Sequence, residues 1–389
     1  MTTPSEAPPL PSWDVEGHRL TLLTEGPQRL EALLELIGDA KRSLRILFYI
    51  FHGDACGTRV RDALLAAEER GVSVSILVDG FGSANAPEDF FAPLGQEGSR
   101  LCRYAPKWGR RYLIRNHQKL AIADDTRMLT GGFNIADDYF GTADEGAWRD
   151  LGLLVEGPAT RRMASYFDAL MDWAGGEQTP IRELRHLLAR FSETQGRLQW
   201  LLGGPTRSLS WWAISVCKDM RGARRMSMIA AYFGPNPAML RRIGDVARKG
   251  RSRVISAAKS DNGATIGAAR FTFARLLRRG VEIHEYQATK LHTKLVVIDD
   301  VVHIGSANFD MRSLYINLEL MLRIDDSAFA EGMRGYFEGE VSASERITPT
   351  LHRHRATVWN RIVWGASRFI VATMDYNVTR RLNFGLDGK

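Results

Sequence analysis

Apolar and polar positions along the chain run through one order of elements twice. A strand-like run from Arg19 to Leu23 ends at Gly26-Pro27, and a second, Arg197 to Leu202, ends at Gly204-Pro205. Each is followed by apolar residues at helical spacing, Arg29 to Ala40 in the first half and Leu209 to Ala223 in the second. Apolar strands then close in aromatic clusters, RILFYIF (Arg45 to Phe51) and MSMIAAYF (Met226 to Phe233). An amphipathic helix ending in glycine follows in both halves, Thr58 to Gly71 and Pro237 to Gly250. Glycine is a frequent helix stop because it takes left-handed backbone angles without a Cβ clash. The next strands are Val72 to Gly80 and Ser252 to Asp261. This alternation predicts an α/β fold with largely parallel sheets, since parallel strands need crossover helices. The segment from Thr160 to Glu193 reads as a helical connection between the halves.

The repeat divides the chain. A Pro-rich leader, 1–16, is expected to be disordered; a first domain with the connecting helices spans 17–194, and a second spans 195–345. The remainder, 346–389, has no counterpart in the first half and reads as an appendage. Within it Trp359, Ile362, Val363, Ala366, Phe369 and Ile370 recur at helical spacing, with Arg361 and Arg368 interspersed. That stretch is too short and too charged to span a bilayer. It reads either as an amphipathic helix lying in a membrane interface or as a helix docked on the protein core.

Composition narrows the partners. With 44% hydrophobic and 25% charged residues the chain of 389 residues is not disordered throughout. A net charge of +7 favours anionic partners, nucleic acid or an acidic lipid surface. The run Lys107 to Arg115 sets four cations beside Trp108 and Tyr112, which suits lipid headgroups and single-stranded nucleic acid alike. The start lacks the charged and apolar regions of a signal peptide, and no apolar run approaches the ~20 residues of a spanning helix. The expectation is a cytoplasmic protein, soluble or attached to a membrane face, whose three scattered cysteines (Cys56, Cys102, Cys217) are reduced thiols.

The chemistry lies in two strings, HQKLAIAD and HTKLVVID. Both spell H-x-K-x-x-x-x-D: His117, Lys119 and Asp124, then His292, Lys294 and Asp299. Each precedes an aliphatic run typical of a buried strand. Two residues apart on a strand, His and Lys share a face, whereas Asp, seven beyond His, falls on the other and reads as a structural support. Just beyond lie Gly131-Gly132-Phe133-Asn134 and Gly305-Ser306-Ala307-Asn308. Such a turn can expose backbone N–H groups, and the Asn amides add donors suited to phosphate oxygens. Each half also offers one acid, Asp150 in AWRD and Glu319 in NLE, able to fix an imidazole's tautomer and orientation.

Paired H-x-K-x-x-x-x-D motifs with trailing G-x-x-N resemble the phospholipase D superfamily. Together with FYIFHGDACGT, TGGFNIADDYFG, KSD and GSANFDMRS, they resemble bacterial cardiolipin synthases, in the shorter form without N-terminal transmembrane helices. The resemblance extends from about Ile46 to Leu322. It implies two pseudo-repeated α/β/α sandwich domains with one active site at their interface. It implies phosphatidyl transfer through a covalent phosphohistidine, with two phosphatidylglycerols giving cardiolipin and glycerol. Hydrolysis to phosphatidic acid and metal-independent cleavage of single-stranded nucleic acid are the alternatives. By the same resemblance His117 is the nucleophile and His292 the acid/base. Lys119, Lys294, Asn134, Ser306 and Asn308 surround the phosphoryl group, Asp150 and Glu319 orient, and Asp124 and Asp299 complete the catalytic motifs. No metal or cofactor is implied, since lysines stand where a metal enzyme would place carboxylates. The expected partners are an anionic phospholipid surface on the inner face of the cell membrane, a glycerophospholipid substrate and an alcohol acceptor, with nucleic acid the less favoured alternative.

Overall fold

The aliphatic runs of both halves become the strands of two sheets, described here by a computed structural model covering residues 9–87, 89–94, 99–104, 114–206 and 208–371. The first half contributes β1 (Ser12–Val15), β2 (His18–Leu23), β3 (Ser43–Phe48), β4 (Ser73–Asp79), β5 (Arg100–Tyr104), β6 (Leu120–Ala123), β7 (Arg127–Gly131) and β8 (Gly152–Glu156). They form an eight-stranded sheet in the order β1-β2-β8-β7-β6-β3-β4-β5. The second half contributes β9 (Leu198–Gly203), β10 (Arg225–Ala230), β11 (Arg251–Ala257), β12 (Glu282–Tyr286), β13 (Lys294–Ile298), β14 (Val301–Gly305), β15 (Glu319–Asp325) and β16 (Ser344–Ile347). Their order, β16-β12-β11-β10-β13-β14-β15-β9, repeats that of the first sheet from β9 to β12.

The helices of the first half are α1 (Gly26–Asp39), α2 (Ala55–Glu69) and the short α3 (Asp137–Phe140). The connection holds α4 (Ala159–Gly175) and α5 (Ile181–Phe191). The second half adds α6 (Trp211–Asp219), α7 (Pro237–Lys249), α8 (Gly263–Leu277), α9 (Met311–Tyr315), α10 (Ser327–Ser342), α11 (Pro349–Arg355) and α12 (Val358–Phe369). The capping is local and legible: Asp54 accepts from Gly57 N–H at α2, and Asn236, with Pro237 in the first turn, accepts from Met239 N–H at α7.

Three expectations are corrected. The sheets are mixed: among the described strands only β3-β4-β5 and β10-β11-β12 run parallel. The motif strands return at once through tight turns, β6 into β7 and β13 into β14, and turns so short can join only antiparallel neighbours. The leader does not extend to residue 16, because β1 pairs with β2 and Trp13 packs edge-on against Phe329 of α10, ring centroids 5.1 Å apart. The second sheet runs past residue 345, since β16 pairs with β12.

Strand alternation divides the first sheet between two cores. Ile46, Phe48, Ala121 and Ala123 face outward onto Leu33, Ile37, Val60 and Leu64 of α1 and α2. Leu47, Leu77, Leu120 and Ile122 face inward, into a cluster shared with Tyr166 and Phe167 of α4 and with Trp200, Met228 and Val296 of the second half. The halves are therefore joined through a continuous apolar core; each large side chain buried in it contributes about 1.5–3 kcal/mol.

The last residue of each motif sits at the far end of its strand, away from the histidine. Asp124 (φ +53°) and Asp299 (φ +46°) open the two turns in left-handed backbone geometry. The Asp124 carboxylate accepts from Lys41, Arg42 and Ser43 N–H at 2.8–3.0 Å, and Asp299 accepts from Arg225 N–H at 2.9 Å and Arg224 N–H at 3.2 Å. Each aspartate thereby pins the turn to the start of the neighbouring strand, β3 or β10. Asp124→Ala should lower stability by about 1–2 kcal/mol in chemical denaturation, with Asp124→Asn costing less because one acceptor oxygen remains. An unchanged denaturation midpoint in both variants would contradict this supporting role.

Candidate active site

Each motif histidine is held by an acid from the opposite half. His117 Nδ1 lies 3.1 Å from Glu319 Oε2 and 3.2 Å from the Ser306 carbonyl, while His292 Nδ1 lies 2.6 Å from Asp150 Oδ2. The backbone follows the same crossing. His117 N–H donates to Leu318 O (2.9 Å) and Leu318 N–H to Arg115 O (2.9 Å); His292 N–H donates to Arg149 O (2.7 Å) and Arg149 N–H to Lys290 O (2.8 Å). These are short parallel bridges, Asn116 with Leu318 and Arg149 with Leu291. A carboxylate and a carbonyl can only accept, so Nδ1 carries the proton in both rings. Each Nε2 is left with its lone pair, and both rings line one cleft of about 820 Å³.

The acids are themselves fixed. Asp150 is fully buried; Leu151 N–H donates to its Oδ1 at 2.8 Å, and the buried Arg29 guanidinium donates to the Asp150 and Tyr139 carbonyls at 2.7 and 2.8 Å. Burial alone would raise the Asp150 carboxyl, but Lys294, His292 and Arg29 outweigh it and hold it below its ordinary value. Glu319 accepts from Ser306 Oγ (2.5 Å) and Ser313 Oγ (2.7 Å). Ser306 therefore holds the acid rather than facing the cleft, which corrects its expected place among substrate-binding groups.

Lys119 and Lys294 are almost wholly buried, and each ammonium donates to the carbonyl of its own motif histidine. Burial lowers both lysines; Lys294 falls to about 8 despite Asp150 and Glu319. Burial, followed by the charge of the neighbouring lysine, also holds both imidazoles below their ordinary value. Each lysine acts on both histidines, so the two halves form one electrostatic unit.

The glycine turns do something other than expected. Gly132 N–H donates to Leu151 O (3.3 Å) and Ser306 N–H to Leu320 O (2.9 Å), so these donors are spent within the protein. A Cβ on Gly131 or Gly305 would meet Leu151 O or Leu320 O at 2.2 Å. The glycines thus let each turn approach the strand that bears the orienting acid. The asparagines do reach the cleft: Asn134 lines it while its Oδ1 accepts from Ile50 N–H at 3.2 Å, and Asn308 lines it with Oδ1 buried and unpartnered. Asp124 and Asp299 are absent from its wall.

The motif spacing left an aromatic and charged lining unassigned. Tyr49 packs on His117 at 5.1 Å; Tyr139 and Trp148 meet His292 edge-on at 5.2 and 5.3 Å. Arg115, Lys290 and Arg312 supply cations, and Asp138, Asp261 and Asp310 acids. Tyr232 donates to Asp261 at 2.6 Å. The signal was present in the quoted strings FYIF, NIADDYF, AWRD and KSD, where aromatics and acids flank the motif elements, but spacing alone does not say which face they take. Of the basic run ending at Arg115, residues 107–113 lie outside the described residues; Arg115 borders the cleft with its guanidinium 4.2 Å from the centre of the Phe81 ring. Among the described residues no group of three or more His, Cys, Asp or Glu is arranged to hold a metal ion, and no helix is long and apolar enough to cross a membrane.

Comparison with known proteins agrees with this geometry. The family model described as "Cardiolipin synthase, PLD-like domain" matches residues 33–171 and 216–341. Cardiolipin synthase 1 of Bacillus anthracis is 31% identical over 342 residues, covering 84% of this chain and 67% of its own. A cardiolipin synthase of Listeria monocytogenes (serotype 4a, strain HCC23) is 28% identical over 367 residues, covering 91% and 75%. Phosphatidylserine synthase of Haemophilus influenzae Rd KW20 shares the fold at 14% identity, with a TM-score of 0.72 over 93% of this chain and 96% of that one. With a family model spanning both repeats and both motifs, the chain belongs to the cardiolipin synthase family of phospholipase D-like proteins.

Proposed function

We infer that the protein is a phosphatidyltransferase of the cardiolipin synthase type, moving a phosphatidyl group between glycerophospholipids through a covalent phosphohistidine. The observation that carries this reading is the pair of buried imidazoles, each held by an acid from the other half, whose free Nε2 atoms share one cleft.

In the first step Nε2 of His117 attacks phosphorus in phosphatidylglycerol. The phosphorus–oxygen bond to the glycerol headgroup breaks, and His292 Nε2–H protonates the departing oxygen, releasing glycerol. In the second, His292 takes the proton from a headgroup hydroxyl of another phosphatidylglycerol. That oxygen attacks phosphorus, the phosphorus–nitrogen bond breaks, and cardiolipin forms with His117 restored. The proton His292 needs is taken up as the phosphodiester binds, because the anion offsets Lys119 and Lys294, whose charges add to burial in lowering the imidazole. His292 suits the acid role because Asp150 approaches it at 2.6 Å, whereas Glu319 is shared with Ser306 and Ser313 and lies 3.1 Å from His117. Asn134 and Asn308, which line the cleft, are assigned to the phosphoryl oxygens, while Lys119 and Lys294, buried behind the histidines and outside the wall, are assigned the positive charge that stabilises the transition state. Tyr232 with Asp261, and the first turn of α8 at Asn262 and Thr265, border the cleft on the second half's side, where a headgroup alcohol would lie.

The acting surface is an anionic membrane, in keeping with the glycerophospholipid substrate. Purified protein with phosphatidylglycerol vesicles and a strong chelator should give cardiolipin and glycerol by mass spectrometry. Phosphatidic acid alone would make it a hydrolase, and loss of activity restored by a divalent metal would overturn the metal-free mechanism.

His117→Ala and His292→Ala should each lower kcat at least about 10⁴-fold. Rapid quenching of His292→Ala should trap phosphatidyl-His117, and the reverse pattern would exchange the two roles. Lys294 is charged below about 8 and loses its proton as pH rises through that value, so kcat/KM should fall on the alkaline side from about 8. Lys294→Arg should move that limb upward; an alkaline limb unmoved by the substitution would remove Lys294 as its source.

A further inference from the structure

Helix α12 is docked with its apolar side outward. Its inner face is secured by Trp364, stacked on His352 at 5.5 Å, by Ser367 against Gly267 of α8, and by Arg368, which donates to Pro235 O at 2.6 Å. At 100° per residue, Val358, Trp359, Ile362, Val363, Phe369 and Ile370 fall within one arc of about 140° on the opposite side. All six are 40–78% exposed. A surface helix ordinarily turns such a stripe toward the core. Phe271 of α8, 51% exposed, extends the patch. A contiguous apolar surface of this kind marks a contact site.

Three further observations specify what covers it. No acidic residue occurs from Pro349 to Val371, and Arg353 and Arg361 stand exposed beside a small apolar slot of about 280 Å³ that includes Phe271 and Trp364. Exposed arginines beside tryptophan and aliphatic side chains suit an anionic bilayer interface. The helix also leads into the reaction cleft, since Ile370 and Val371 form part of the wall that includes His117 and His292. A protein partner seated there would crowd the cleft mouth, whereas a bilayer would supply it with substrate.

We propose that the outer face of α12 docks the protein on an anionic lipid bilayer, setting the cleft mouth at the level of the headgroups. The proposal rests on the reading of that cleft as a glycerophospholipid site. Arg368 ties the docked helix to the loop after Tyr232, so the membrane-bound face and one wall of the cleft move together.

Sedimentation with vesicles tests this. Wild-type protein should pellet with vesicles of phosphatidylglycerol and phosphatidylcholine, and less with phosphatidylcholine alone. Trp359→Glu with Ile362→Glu should weaken binding at least about tenfold. It should slow turnover of vesicular phosphatidylglycerol to a similar degree, leaving the melting temperature and turnover of monomeric short-chain phosphatidylglycerol unchanged. Arg353→Gln with Arg361→Gln should remove the preference for anionic vesicles. Unchanged sedimentation of the double glutamate variant would overturn the proposal. So would a wild-type dimer that the variant dissociates while vesicle binding persists, since α12 would then cover a second copy. Intact vesicle binding without product from either lipid form would uphold docking and refute the proposed reaction.

Discussion

The crossed pairing of acid and imidazole is the constraint on which the rest of the molecule depends. Neither half contains a working histidine: the ring comes from one sheet and the carboxylate that orients it from the other. A hydrogen-bonded buried pair of this kind tolerates little displacement, because a carboxylate left without its partner in a low-dielectric interior is costly. The halves must therefore be held in fixed register. The shared core provides this, with Tyr166 and Phe167 of α4 and Trp200 of β9 in one apolar cluster and the short backbone bridges at Leu318 and Arg149 tying the halves together.

That register also governs the charge of the site. Two lysines, two imidazoles and two carboxylates lie buried together, and the lysines and imidazoles are displaced downward chiefly by desolvation. Burial and the mutual repulsion of like charges thus loosen the hold of these groups on their protons. The charges of Lys119 and Lys294 are among the causes that lower both imidazoles, so the protonation of each ring depends on its neighbours across the interface.

Much of this was legible in the sequence, for particular reasons. The repeat, the motif histidines and lysines, and the helices α1, α2 and α7 declared themselves because periodicity and capping are local. Alternation put Asp124 and Asp299 on the opposite strand face; they lie instead in the turns beyond β6 and β13, outside the cleft wall, because seven residues carry the chain past the strand end. The crossing of Asp150 to His292 and Glu319 to His117 could not be read, because it depends on how two sheets meet. Antiparallel return of the motif strands was missed since the tight turns at Asp124 and Asp299 lack the glycine that usually marks them. Trp13 sits in a proline-rich stretch whose composition suggests disorder, yet strand pairing with β2 and packing on Phe329 give it a place in the fold. In α12 the spacing showed a stripe but not which way it faced.

The fit between each acid and its neighbouring turn has a consequence for how the halves can drift. In the first, a Cβ on Gly132 would stand 2.4 Å from Asp150 Oδ1, so the shorter acid requires a residue without a side chain. In the second, the longer Glu319 reaches two serine hydroxyls that an aspartate would leave unmatched. Gly132 with Asp150, and Ser306 and Ser313 with Glu319, are two different solutions to holding the orienting acid. A side chain at Gly132 would collide with Asp150, and an aspartate at position 319 would fall short of the two serine hydroxyls. The two repeats thus part company within the site itself, and the two histidines are held unequally although the strand order around them repeats.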